Sequence, residues 1–453
     1  MAGFDMRTGK IAGHMTRFAL PLVIGNMFQL TYNAADSVIV GRYVGDAAQA
    51  AIGVANPMMN VLIFFIVGAC NGIGVILSEC YGTGNLKKLK KEFGTAVSFG
   101  TGLFFILSIL FYFLAPAFLR LISTPPEIMA ETVRYTRIIL IGICFTFLYN
   151  VCASALRGLG DARTPLFFLI LSSCLNIGLD LLFVTQFNYG VVGAAWGTVI
   201  SQGISALLCL LLIQLKQPLL KLRIRDLKIE MGLLLKILNY SISTGLQQIT
   251  LNIGKVLIQS FVNPLGVPAV AAFNAVNRVD DFVFQPEQSI ASAVTTFVAQ
   301  NRGVGHKERI KKCLWYGLGM ELIYGIFIGM VVFFNAERIM GLFTKEEGSR
   351  MILIGTLYLQ FMALIYILPG VTNWLQGYIR GFGKMNVCLA ATFIQMVGRV
   401  AASAFLIPRY GIPGVAYSCL IGWIFMLLFE APYFLYHQKK WISELSERNN
   451  EDG

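Results

Sequence analysis

Two acids stand in stretches that are otherwise apolar enough to dissolve in lipid. Asp36 lies in FALPLVIGNMFQLTYNAADSVIVG (18–41), and Asp180 lies in NIGLD, four residues after Asn176. Insertion scales charge an Asp near the centre of a membrane helix roughly 2.5 to 3.5 kcal/mol, so such acids are retained for a reason. Residues four apart share a helix face, which puts Asn176 beside Asp180. Thr198 follows the small-residue stretch Gly193 to Gly197, which permits close helix approach. Two carboxylates, an amide oxygen and a hydroxyl form an all-oxygen set suited to a hard cation such as sodium. The same acids suit protons, because desolvation and mutual repulsion favour the neutral form and close acids titrate together. Ordinary interhelical hydrogen bonding is the plainer role for Asn176 and Thr198, and a structural pair is the plainer role for Asp36. Pro21 either starts the first helix or bends it from inside.

These residues need membrane helices to hold them. The 453 residues are 56% hydrophobic and 13% charged with mean hydropathy +0.68, whereas a soluble domain carries about 25% charged residues. Apolar segments fall at about 17–40, 51–78, 93–119, 132–154, 165–186, 191–215, 236–262, 269–299, 313–335, 351–377, 386–407 and 413–436. With no strand alternation all twelve are expected as helices, because lipid offers backbone groups no partner. The fold class is therefore all-α integral membrane, with the lipid bilayer as its first partner.

The net charge of +12 could suggest nucleic acid, but its distribution argues otherwise. Of 36 Lys and Arg, 25 fall in alternate loops and the tails and eight on the opposite side. That bias expects both termini in the cytoplasm and reports topology rather than a nucleic-acid partner. The nine cysteines include no C-x-x-C pair, and His14, His306 and His437 are far apart, so no metal-catalytic centre or cofactor is expected. The glycine loops do not follow strands, so a nucleotide site is not expected either.

The chain repeats itself. YGTGNLKKLKK (81–91) lies over RGVGHKERIKK (302–312) and YGVVGAAW (189–196) over YGIPGVAY (410–417), both 221 residues apart, and RGLG (157–160) over RGFG (380–383), 223 apart. Six spans per repeat is even, so both halves enter the membrane in one orientation and are related by a pseudo-two-fold along its normal. The expected lobes are 1–215 and 237–453. A basic linker, 216–236, joins them as an amphipathic surface helix or a solvated connector. At the spacing of 221, Asp36 lies over Leu257 and Asp180 over Ala401 (Ala402 or Ser403 at 222 or 223), so the acids belong to the first half alone.

P-x14-D in the first span, N-x-x-x-D in the fifth, the RGLGD loop, the twelve-span duplication and NRVD at 277–280 together resemble the multidrug and toxic compound extrusion (MATE) transporters, in particular their DinF-like branch. The resemblance covers nearly the whole chain. It implies a membrane transporter rather than an enzyme, in the cell inner (plasma) membrane and monomeric, exporting amphipathic, cationic small organic molecules by alternating access in exchange for H+ or Na+. It assigns cation coupling to Asp36, Asn176, Asp180 and Thr198, with Asp36 and Asp180 as metal ligands only if the ion is Na+. It assigns the bend of the first helix to Pro21.

Gln29, Asn33, Tyr149, Asn150, Gln247, Gln248, Lys255 and Asn373 are candidate cavity residues. Another bacterial branch carries acids on helices 7 and 10 where this chain offers Gln247, Gln248 and Asn373, which argues against a second-lobe cation site. Arg278, Asp280 and Asp281, with Lys255, read as an ion-pair cluster, or else Lys255 biases a cavity toward anionic cargo. Arg399 carries the same two readings as Lys255, and Glu287, Glu321 and Glu430 receive no role. The rival reading is a lipid-linked oligosaccharide flippase of the related superfamily. A membrane enzyme would need an interfacial polar cluster that these short loops do not supply.

Overall fold

The computed structural model describes residues 5–344 and 349–451. The side chains of residues 32–42, 46, 47, 224 and 446–451 lie outside that description, and with them Asn33 and Asp36. Among the described residues the chain is helical, without a strand. Its helices are α1 (Ile11–Tyr43), α2 (Asp46–Gly82), α3 (Leu86–Leu121), α4 (Pro126–Gly158), α5 (Arg163–Leu181), α6 (Gly190–Lys216), α7 (Met231–Val262), α8 (Val267–Val304), α9 (Lys307–Gly341), α10 (Arg350–Ile365), α11 (Ile367–Gly381), α12 (Met385–Tyr410) and α13 (Ile412–Glu451). Among the described residues eight are long and apolar enough to cross a membrane by composition alone, nine with α10 and α11 taken as one bent span. α8 falls outside that set, carrying Arg278, Asp280, Asp281 and Glu287 along its length.

The tenth span, expected as one helix, is two helices bent by 44°. Pro369 in the first turn of α11 has no N–H to continue the ladder, and Tyr366 forms the break. Pro21, by contrast, lies well inside α1, so it does not start that helix. At each repeated loop a glycine takes the left-handed backbone that other residues resist. These are Gly84 (φ 71°), Gly160 (φ 87°), Gly305 (φ 77°) and Gly383 (φ 77°).

The chain divides into two compact units, Met1–Asp5 with Ile24–Gly245, and Met6–Val23 with Leu246–Gly453. The cuts fall inside α1 and α7 rather than at a linker. The first part of α7 packs with the first unit, and the first part of α1 with the second. The linker forms a 3-10 turn (Ile224–Leu227) instead of an amphipathic helix. It docks on the start of α3, where Thr95 Oγ1 donates to the Lys228 carbonyl (3.3 Å) and Lys91 pairs with Glu230 (2.8 Å). The N-terminal segment does the same in the second unit. There Asn301 Nδ2 and Arg309 donate to the Met6 carbonyl (3.1 and 2.9 Å), and Arg309 also donates to the Gly9 carbonyl (2.8 Å). The repeat thus includes the strap that precedes its first helix.

In the first unit, Ile73, Ile76, Phe93, Phe104, Phe147 and Leu156 share one buried core, with Phe104 and Phe147 stacked at 4.9 Å. α2 meets α7 through Gly72, where an added Cβ would stand 2.7 Å from the Tyr240 carbonyl oxygen. Backbone cannot swing aside as a side chain can. Gly72→Ala is therefore expected to lower stability by about 1 to 3 kcal/mol, read as a lower thermal midpoint of the purified protein, while Gly13→Ala, with open space around it, leaves the midpoint in place.

Candidate cation-coupling site

Asp161 of the RGLGD loop aims α5. Its Oδ1 accepts from the backbone N–H groups of Arg163 (3.1 Å) and Thr164 (3.0 Å), and its Oδ2 accepts from the Thr164 hydroxyl (2.6 Å). Such a carboxylate satisfies helix-start donors and complements the positive end of the helix. The motif acid is thus a cap, and α5 carries Asn176 and Asp180 from a fixed origin.

Asn176 is 1% exposed and Asp180 is fully buried. The Asn176 amide donates through Nδ2 to Thr198 Oγ1 (3.3 Å), and the Thr198 hydroxyl donates to the Ala194 carbonyl one turn back (3.1 Å). These bonds fix the amide so that Asn176 Oδ1 is left as the acceptor, and it has no hydrogen-bond partner among the described residues. A buried amide oxygen without a donor is uncommon and invites a ligand. α6 comes close enough to touch the acid, for a Cβ added at Gly197 would lie 2.0 Å from Asp180 Oδ1. Directly after Asp180 the helix widens into a π-turn (Leu182–Gln186), a feature frequent at functional sites that the sequence did not announce. The structure therefore brings Asn176, Asp180 and Thr198 together. Asp36 lies on α1 within the same unit, and its side chain is outside the described residues.

The other candidates disperse. Tyr149 is half-buried and donates to the Pro165 carbonyl (3.0 Å), and Asn150 donates to the Thr146 carbonyl (2.8 Å). Gln29 is exposed and Gln248 half-buried, while Asn33 lies outside the described side chains. Gln247 is no surface residue. It is 6% exposed and donates to Gln376 Oε1 and Thr392 Oγ1, each at 2.9 Å, and Gln376 donates in turn to Glu430 Oε1 (2.8 Å). A buried amide requires such partners, so Gln247 ties α7 to α11, α12 and α13, and Glu430 acquires a structural role.

The expected ion-pair cluster of α7 and α8 splits. Lys255 pairs with Asp281 at 3.0 Å near the surface, whereas Asp280 is buried and accepts from the Tyr366 hydroxyl (2.7 Å) at the bend of the tenth span. Arg278 points outward and joins neither. Successive residues of a helix face different ways, which is why four neighbouring charges do not make one cluster.

With this geometry in hand, comparison with known proteins is informative. The MatE family model matches residues 21–182 and again residues 244–405. The chain belongs to the MatE family. It is a multi-pass membrane transporter, built of twelve spans in two six-helix bundles, and not an enzyme. Among curated relatives it is 30% identical over 443 residues to the probable multidrug resistance protein YpnP of Bacillus subtilis, covering 97% of this chain and 98% of that one. It is 25% identical to the probable multidrug resistance protein NorM of Thermotoga maritima, covering 94% and 92%. A solved outward-facing multidrug resistance MATE family transporter of the MOP superfamily shares the fold at TM-score 0.90 and 22% identity, over 99% of each chain.

The two family matches begin at 21 and 244, a spacing of 223 rather than 221. At that spacing Asp36 lies over Gln259, not Leu257, Asp180 over Ser403, and Asn176 over Arg399. The second half again lacks both acids. Ser403 is buried and donates to Ser418 (2.9 Å), and Arg399 is buried in electrostatic range of Asp280 and Cys419. At that spacing a buried arginine stands in the second repeat where the first has Asn176.

Proposed function

We propose that the protein is a secondary active exporter that exchanges amphipathic, cationic organic compounds for H+ or Na+ by alternating access. In this reading it acts as a monomer in the plasma membrane with both termini in the cytoplasm. Asp36 and Asp180 are the coupling acids, Asn176 and Thr198 complete the oxygen set, and Pro21 lets α1 bend as the site fills. The observation that carries the reading is the buried Asn176–Asp180 pair of α5, with an amide oxygen left without a donor beside a carboxylate at membrane depth. A cation or proton there removes charge from the bilayer interior, and an ion that favours one access state over the other shifts the equilibrium between them. The confinement of this set to one repeat, with Arg399 as a built-in cation in the other, supports a single coupling site of the DinF-like kind. The multidrug resistance names of YpnP and NorM support organic cargo.

Cargo is tested in proteoliposomes loaded with a fluorescent organic cation, beside a fluorescent-lipid scrambling assay. Export of the cation that follows an imposed H+ or Na+ gradient is expected. Lipid scrambling that ignores both gradients, with no cation export, would overturn the reading in favour of a flippase.

A further inference from the structure

The second unit holds two acids that the coupling scheme does not use. Glu287 follows Pro286 near the middle of α8, and Glu321 lies near the middle of α9. They are 0% and 1% exposed; neither carboxyl oxygen of Glu321 has a hydrogen-bond donor among the described residues, and Glu287 has the Asn373 amide of α11 beside it. The two side chains converge on one point of α11. A methyl group placed on Gly370 would stand 3.5 Å from Glu321 Oε2 and 3.7 Å from Glu287 Oε1. Tyr324 of α9 donates to the Val283 carbonyl of α8 (3.0 Å), which keys the two helices together one turn away from Glu287.

The surroundings offer no cation. Asp280 on α8 and Tyr324 on α9 are the titratable groups within electrostatic range, and α11 contributes the Asn373 amide beside Glu287. No Lys or Arg among the described residues forms an ion pair with either carboxyl. Two ionised carboxylates that reach the same glycine in a dry interior suffer both desolvation and repulsion, and such a pair lowers both costs by taking up a proton. One proton removes one of the two charges. Sodium would instead call for several further oxygens that this apolar corner does not provide.

We propose that Glu287 and Glu321 form a second proton-binding site, lodged between α8, α9 and α11 and separate from the acids of α1 and α5. Loss of its proton sets two negative charges against α11 just beyond the break at Tyr366, so occupancy of the site bears directly on the bent span. This assignment stands whether or not Asp36 and Asp180 couple transport.

Difference infrared spectroscopy of the purified protein across a pH titration reads the site through the carbonyl stretch of protonated carboxyl groups. It is run in wild type, in Glu287→Gln, in Glu321→Gln, and in the Asp36→Asn/Asp180→Asn double variant. Wild type and the double aspartate variant are expected to show a deuterium-sensitive band that titrates, and either glutamine variant is expected to weaken and shift it. A band untouched by both glutamine substitutions overturns the proposal, as does a band in wild type that vanishes on adding sodium at constant pH. The proton count released per molecule between acid and alkaline buffer is the second readout. The fold-intact glutamine variant should release one proton fewer than wild type, and an equal count would contradict the proposal. Failure of the coupling reading appears elsewhere, as normal ion-driven export by the double aspartate variant.

Discussion

Gly197→Ala is expected to cut gradient-driven export sharply while leaving a folded, extractable protein. The new methyl would lie 2.0 Å from Asp180 Oδ1 and 3.3 Å from the Asp180 backbone nitrogen, so the carboxyl must leave its place. The substitution adds a single carbon, and overpacking of this kind costs about 1 to 3 kcal/mol. Charged to cation binding, that range weakens affinity by about fivefold to about 150-fold. The measurement is initial export rate against ion concentration. A rightward shift of the ion dependence at unchanged melting temperature fits the account, and an unshifted curve would show that α6 does not shape the site. Gly178→Ala is the control, because it sits on α5 in open space two residues from the acid.

Asp180→Asn separates charge from shape. The side chains are nearly isosteric, so packing against Gly197 survives. Replacing an intramembrane acid by a neutral amide relieves the part of its burial cost that is due to charge, so the variant is expected to keep wild-type thermostability. Ion-driven export should nevertheless fall to the level of empty vesicles, because an amide neither exchanges a proton nor balances a sodium ion. A variant that is stable and still exports at the wild-type rate would remove Asp180 from the coupling scheme. A purely structural role predicts the opposite pair of results, with stability lost and transport kept in the surviving protein.

Much of the architecture was readable in the residues because it rests on composition and repetition. Apolar length marks spans whatever they pack against. The glycines of YGTG and RGLG mark turns, since their left-handed backbones are a local demand. The association of Asn176, Asp180 and Thr198 was also legible, because four-residue spacing and a run of small residues encode a helix face and a close approach.

Other features were hidden for physical reasons. Glu287 and Glu321 lie on different helices, and no spacing within one helix says which residues of two helices meet, so nothing in the sequence shows them reaching one point at Gly370. The same silence made Gln247 look like a cavity residue when it lies inside a polar network. Four charges close together in α7 and α8 suggested a cluster, but side-chain direction separates Asp281 from Asp280. The division of the units inside α1 and α7 follows from tertiary packing that no linker composition announces. The register of the repeat varies between 221 and 223, so a single offset does not pair every position of the two halves.

The central claim is that one acid set in the first repeat exchanges an inorganic cation for cargo. Its most direct test is counterflow. Wild-type protein and the Asp36→Asn and Asp180→Asn variants are reconstituted in vesicles, an organic cation is supplied on one side, and H+ and Na+ movement in the opposite direction is recorded separately. Wild type should show cargo-dependent flow of one of the two ions, and each aspartate variant should show none. Equal ion counterflow in wild type and both variants would contradict the account.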